Sequence, residues 1–445
     1  MHDHVPATKS YAPDPQQQQQ LMKSKTDGYA APYATPVFAM LLAALLWLNA
    51  STLHWLCVPH ILVAVAVVGL ACVHELLRPF CCSFRDFCAV LVHVIVSVVI
   101  AIAKFVGRKC KPRFPEWTVY YELFQAFAYA AGELGGQHIT KPINAPRFRR
   151  LFDALGDLQG FVACAVYGAT TERFEYNGLE HIWVRPNGVT KQVAGGVPLR
   201  RLVVIYYHGG GYSLCSPRFY VGFAARLRDQ VAREVEPVEV HLLLANYRKI
   251  PEHRFPVPVD DALTMFDYLV DHEHVAPSDV VMGGDSAGGG LVIATLMRLR
   301  DAQREMPAAA LCTCPYVDML ARIDSSEHCF IHQSMLDGIR DYCVKTVSQK
   351  QDPLVALREA VSVNSDLRGL PPLFILAAEF DILYPQSKGL ARTARRDSVD
   401  VELDVHARMP HVFCLLPKAV LPRSEVAVAN MAAFVARKVV AARAS

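Results

Sequence analysis

Gly284-Asp285-Ser286-Ala287-Gly288 decides how this chain is read, because the apolar run Val280-Val281-Met282 precedes it and the amphipathic stretch Leu291–Arg300 follows. Strand, sharp turn and helix in that order place Ser286 at the turn, where a nucleophile is held. The flanking glycines have a steric reason: the turn brings the strand and helix backbones together, and a Cβ there would clash with one or the other. Alone, a G-x-S-x-G match is weak in a chain of 445 residues, and an isolated one reads as an ordinary glycine turn.

A second motif supplies the context. Leu202–Tyr207, a β-rich apolar run, leads straight into His208-Gly209-Gly210-Gly211-Tyr212. Consecutive glycines leave backbone N–H groups free to face a developing oxyanion, which side chains would obstruct. The expected donors are Gly209, Gly210 and Ala287, with Gly211 able to replace one of the two loop glycines. His208 and Asp285 are expected to tie the loops down.

Further apolar runs at Val238–Leu244, Val280–Gly283, Leu373–Ala378 and Val401–Val405 alternate with helical patterns. That alternation predicts an α/β fold with a mostly parallel central sheet flanked by helices. Reactive groups of such sheets gather outside the carboxyl ends of the strands. Glu379-Phe380-Asp381 follows one strand end; His406 and His411 follow another. Asp381 is the expected orienting carboxylate, with Glu379 and the in-strand Asp404 as rivals. His411, in the turn Met409-Pro410-His411-Val412-Phe413, is the expected general base, with His406 as its competitor. Serine, acid, histidine is the order of an α/β-hydrolase.

Composition narrows the setting. The chain is 52% hydrophobic, and no Asp, Glu, Lys or Arg occurs from Gly28 to His74, a run long enough to cross a bilayer twice. Spans are expected near Pro36–Leu56 and Val58–His74, with a third apolar stretch from Phe87 to Ala103. This predicts a membrane protein, multi-pass or hairpin-anchored. The positive-inside count over three spans, four basic residues against five, barely favours a cytosolic C-terminal domain, and with two spans the orientation is open to reversal. The basic cluster Lys104–Arg113 abuts an apolar segment and suits anionic headgroups, so the lipid bilayer is the expected partner and nucleic acid is not. Thirteen scattered cysteines, an odd number, do not form a disulfide framework. His272-Glu273-His274 and Cys312-Thr313-Cys314 lack zinc-site spacing with a second ligand pair, so neither a metal nor a cofactor is expected.

Taken in order, His208-Gly209-Gly210-Gly211, Asn246-Tyr247-Arg248 with Pro251–Pro256, Gly284–Gly289, Asp381 and His411 resemble the hormone-sensitive-lipase-like branch of the α/β-hydrolases, which includes arylacetamide deacetylases and membrane-anchored steryl acetyl hydrolases. The likeness covers roughly residues 200 to 420. The chain departs from that pattern at Ile382 after the acid, at Ala407–Pro410 before the histidine, and at Asp352-Pro353-Leu354. The resemblance implies cofactor-free hydrolysis of a hydrophobic ester under a helical cap, at the endoplasmic reticulum membrane. The expected organisation is a polar tail over 1–35, a transmembrane region over 36–104, a cap over 113–200 and a catalytic core over 201–445. Amide deacetylation and a non-catalytic small-molecule receptor on the same fold are the alternative functions.

Overall fold

The computed structural model describes residues 57–188, 200–235, 238–322, 326–343 and 366–444. The expected tail over 1–35, the expected span Pro36–Leu56 and the segment Asp352–Leu354 lie outside the described residues. Two compact units are distinguished, Met1–His74 and Glu75–Ser445. In the first, the described residues, 57–74, belong to helix α1 (Cys57–Leu77), whose last three residues fall in the second.

Helix α2 (Phe84–Gly107) starts at a capping box, in which the Ser83 hydroxyl accepts from the Asp86 N–H and the Asp86 carboxylate accepts from the Ser83 N–H. Among the described residues it is the one helix long and apolar enough to cross a membrane, and most of its surface faces outward. It contains the expected apolar stretch Phe87–Ala103. Two further helices follow, α3 (Val119–Gly135) and α4 (Ala145–Val166).

The centre is an eight-stranded sheet: β1 (Ala169–Tyr176), β2 (Leu179–Pro186), β3 (Arg201–Tyr207), β4 (Glu239–Ala245), β5 (Val280–Asp285), β6 (Ala309–Thr313), β7 (Leu373–Ala378) and β8 (Val401–His406), in the order β1-β2-β4-β3-β5-β6-β7-β8. From β4 to β8 the neighbours run parallel, and β1–β2 and β2–β4 are antiparallel. Both faces are covered, which is why the central strands are largely apolar; β3, β4, β5 and β7 are buried almost throughout. The covering helices include α5 (Pro217–Glu234), α6 (Val257–Asp267), α7 (Ala287–Asp301), α9 (Tyr384–Arg396) and α10 (Arg423–Ala444), with α8 (Gln333–Cys343) between β6 and β7.

Two expectations change. The segment 113–200, read as cap, contributes β1 and β2 to the main sheet; these strands carry Thr, Glu and Arg outward and give little apolar alternation. β6 was also absent from the strand reading, since Ala309-Ala310-Leu311-Cys312-Thr313 has almost no β-branched content.

Candidate active site

Ser286 sits between the last residue of β5 and the first of α7, with φ 51° and ψ −120°. A non-glycine residue in the left-handed region is strained, and its neighbours hold it there. The Ser286 N–H donates to the Thr313 carbonyl at 2.8 Å, and the Ser286 carbonyl accepts from Tyr316 N–H at 2.8 Å and Gly290 N–H at 3.1 Å. A Cβ on Gly284 would strike the Gly288 carbonyl, and one on Gly288 would strike the carbonyls of Tyr207 and His208. The turn is closed as tightly as the sequence pattern demands.

Asp381 and His411 meet, and His411 lines the same cavity as Ser286. His411 Nδ1 lies 2.8 Å from Asp381 Oδ2, and both side chains are buried. Asp381 Oδ1 also accepts from the Leu383 N–H at 2.9 Å, which fixes the carboxylate from the β7 side. The Cys314 Sγ falls in the same cluster, and Cys329 Sγ lies 3.9 Å from Asp381 Oδ1, so two buried thiols flank the acid. The rivals are engaged elsewhere. Glu379 accepts from Arg408 N–H at 2.9 Å, whereas His406 pairs with Asp404 at 2.8 Å and receives Arg423 Nε at 3.3 Å. The histidine loop is held from upstream: Trp117 Nε1 donates to the Arg408 carbonyl at 2.8 Å, and Arg408 pairs with Glu116 at 3.3 Å.

The glycine loop corrects one expectation. The Gly209 N–H, an expected oxyanion donor, points away from the site and donates to Tyr220 Oη at 2.9 Å and Asp285 Oδ1 at 3.0 Å. Gly210 and Gly211, at φ 95° and 61°, line the cavity beside Ser286, and no hydrogen bond among the described residues engages either N–H. Ala287 opens α7, where the first N–H groups have no partner within the helix. Asp285 anchors the loop from below. Its carboxylate accepts from Gly209 N–H, from Tyr220 Oη at 2.9 Å and from Tyr206 Oη at 3.2 Å. Burial nevertheless pushes its carboxyl up to about 6. Tyr220 was not singled out in the sequence; a tyrosine in the first turns of an amphipathic helix carries no signal of this contact.

His208 and the Asn246 motif support the loop from the other side. His208 stacks on Tyr247 at 4.4 Å, its carbonyl accepts from Tyr247 Oη at 2.7 Å, and its Nε2 lies 3.4 Å from Asn246 Oδ1. The Asn246 N–H in turn donates to His181 Nδ1 at 3.1 Å. Arg248 forks onto Asp261, with contacts at 2.7 and 3.0 Å. Of the motifs weighed as metal ligands, Glu273 binds Arg201 and Tyr268, Cys312 is buried within β6, and the Cys314 Sγ lies in the Asp381–His411 cluster.

Above the turn lies a cavity of about 690 Å³, lined by Ser286, His411, Gly210 and Gly211 at its chemical end and mostly by apolar side chains elsewhere. That volume is within the range of sites that engulf a small organic ligand. Its walls come from α3, α4, α5 and α8, so the cover over the site is not confined to the expected segment 113–200: Met335, Leu336 and Ile339 of α8 contribute.

A family profile described as alpha/beta hydrolase fold matches residues 204–415. An acetyl-hydrolase of Streptomyces hygroscopicus is 32% identical over 212 residues, which is 47% of this chain and 67% of that protein. Arylacetamide deacetylase-like 3 of Homo sapiens is 38% identical over 101 residues, 22% of this chain and 23% of that protein. Among solved structures, a crystal structure of EstE5 soaked by p-nitrophenyl butyrate is 28% identical with a TM-score of 0.53, covering 65% of this chain and 92% of that one. Likeness across residues 204–415, in sequence and in backbone alike, means that the chain belongs to the α/β-hydrolase family and is a carboxylic ester hydrolase.

Proposed function

We propose that this hydrolase is a membrane-anchored serine esterase that removes a short acyl group, such as acetyl, from a large apolar alcohol through an acyl-enzyme on Ser286. The observation that carries the reading is the buried Asp381–His411 bond, 2.8 Å long, with His411 and Ser286 facing one apolar cavity. Asp381 holds Nδ1 of the imidazole, leaving Nε2 for the serine hydroxyl. His411 takes the Ser286 proton as Oγ attacks the ester carbonyl, and the tetrahedral oxyanion is met by the N–H groups of Gly210, Gly211 and Ala287. The imidazolium then protonates the departing alkoxide. Water, activated by the same imidazole, releases the acid and restores the serine.

The substrate class follows from the cavity. Phe148, Phe152, Leu155, Leu158, Val162 and Val166 recur along one face of α4 and all line it. At 1.5 Å rise per residue that stripe extends over about 27 Å, long enough for a polycyclic alcohol or an extended hydrocarbon. A steryl acetate, an aryl ester or an acylglycerol fits this description. Leu76 and Phe80, where α1 ends and the turn into α2 begins, line the same cavity, which supports delivery of an ester dissolved in lipid. Anchoring rests on α2. The test is turnover of p-nitrophenyl acetate and of a long-chain alkyl acetate by the purified protein. Hydrolysis of both, abolished by Ser286→Ala, is expected; activity that survives the substitution would remove Ser286 from the mechanism.

A further inference from the structure

The C-terminal half of α4 is apolar on the side that faces outward. It lies on α5 through Gly156, Gly160 and the small side chain of Ala163, leaving Leu158, Phe161, Val162 and Val166 at 69, 78, 55 and 68% exposure. Such a cluster on one helix face marks a contact surface. Leu158, Val162 and Val166 are at once exposed and part of the cavity wall, so the cavity opens along this ridge. Lys418 stands exposed at the same rim.

We propose that this ridge is the membrane-facing mouth of the site: Phe161 and its neighbours dip into the lipid surface, and the apolar ester passes from the bilayer into the cavity between α4 and the Leu415–Lys418 segment. This rests on the esterase reading given above. Three observations favour lipid over a protein partner. The apolar helix α2 belongs to the same compact unit as α4. A protein seated stably on the ridge would seal the opening that its own residues form. Lipid tails instead leave it passable, while the Lys418 ammonium suits headgroup phosphate.

The test uses the full chain with phosphatidylcholine vesicles carrying cholesteryl acetate, acetate release being measured, beside p-nitrophenyl acetate in solution. Phe161 and Ala165 lie on the ridge outside the cavity wall, so Phe161→Glu with Ala165→Glu is expected to leave turnover of the soluble ester within about twofold and to lower vesicle hydrolysis at least about tenfold. In Phe161→Trp, brominated phosphatidylcholine should quench the new indole emission. Unchanged vesicle hydrolysis in the charged variant, or an unquenched indole, overturns the proposal. Equal loss on both esters also overturns it, by showing the ridge packed against protein, whether another segment of this chain or a second copy. Failure of the unsubstituted protein on the soluble ester would instead refute the esterase reading.

Discussion

Ser286 holds φ 51° because its backbone is hydrogen-bonded and its neighbours are packed too closely to move, and in the mechanism proposed above that rigidity serves an imidazole whose Nδ1 is held by Asp381. Asp381→Asn should therefore lower kcat about 10³–10⁴-fold with little change in KM, since the imidazole would be held in the wrong tautomer. A drop under tenfold would point to another orienting group. Tyr220→Phe removes one acceptor from the Gly209 N–H and one donor from buried Asp285. A loss of about 1–3 kcal/mol in stability is expected, read from chemical denaturation, because the carboxylate is left under-satisfied. At this scale the chemical residues were legible, as motifs fix serine, acid, histidine and glycines in order. Which glycine N–H faces the site was not: the choice turns on Asp285 and Tyr220 capturing the Gly209 N–H, a tertiary contact between elements far apart in the chain.

Among the elements, β2, the second strand of the sheet, carries a pH-sensitive tether. His181 on β2 accepts the Asn246 N–H at Nδ1 and reaches the Tyr176 carbonyl with Nε2 at 3.1 Å, so the neutral imidazole suits both contacts. Burial pushes its pKa down to about 4 from an ordinary 6.5. The unfolded chain thus binds the proton more readily between these values. The stability from His181 is present above pH 6.5 and is lost as the pH falls toward 4, by roughly 3 kcal/mol when complete. His181→Gln should flatten the fall in melting temperature between those pH values; an unaltered slope would contradict the assignment. The α4–α5 contact is equally specific. A side chain on Gly156 would run into the backbone at Arg218 and Phe219, so Gly156→Val should cost about 1–3 kcal/mol by overpacking. Of these elements the buried parallel strands were readable from uninterrupted apolar runs. β1 and β2 were not, as one face of the antiparallel pair meets solvent, and β6 lacks the branched residues that mark a strand.

For the whole molecule, the membrane anchoring proposed above rests on α2. Its apolar surface faces outward with Val92, Ile95, Val96 and Val99 exposed, over a length sufficient to cross a bilayer. Alkaline carbonate washing of membranes should leave the protein in the pellet; release into the wash would separate the catalytic unit from the bilayer. Composition made this feature legible, because an uncharged run needs no tertiary information. The course of the cavity along α4 did not show in the sequence, since it depends on helices meeting through glycines and on α8 arriving from another part of the chain. The central claim, an activated serine at the β5–α7 turn, is tested most directly by labelling the full-length protein with a fluorophosphonate and mapping the adduct. A single adduct on Ser286 that disappears on denaturation and in His411→Ala is the predicted result, and no adduct, or one on another residue, would contradict the account.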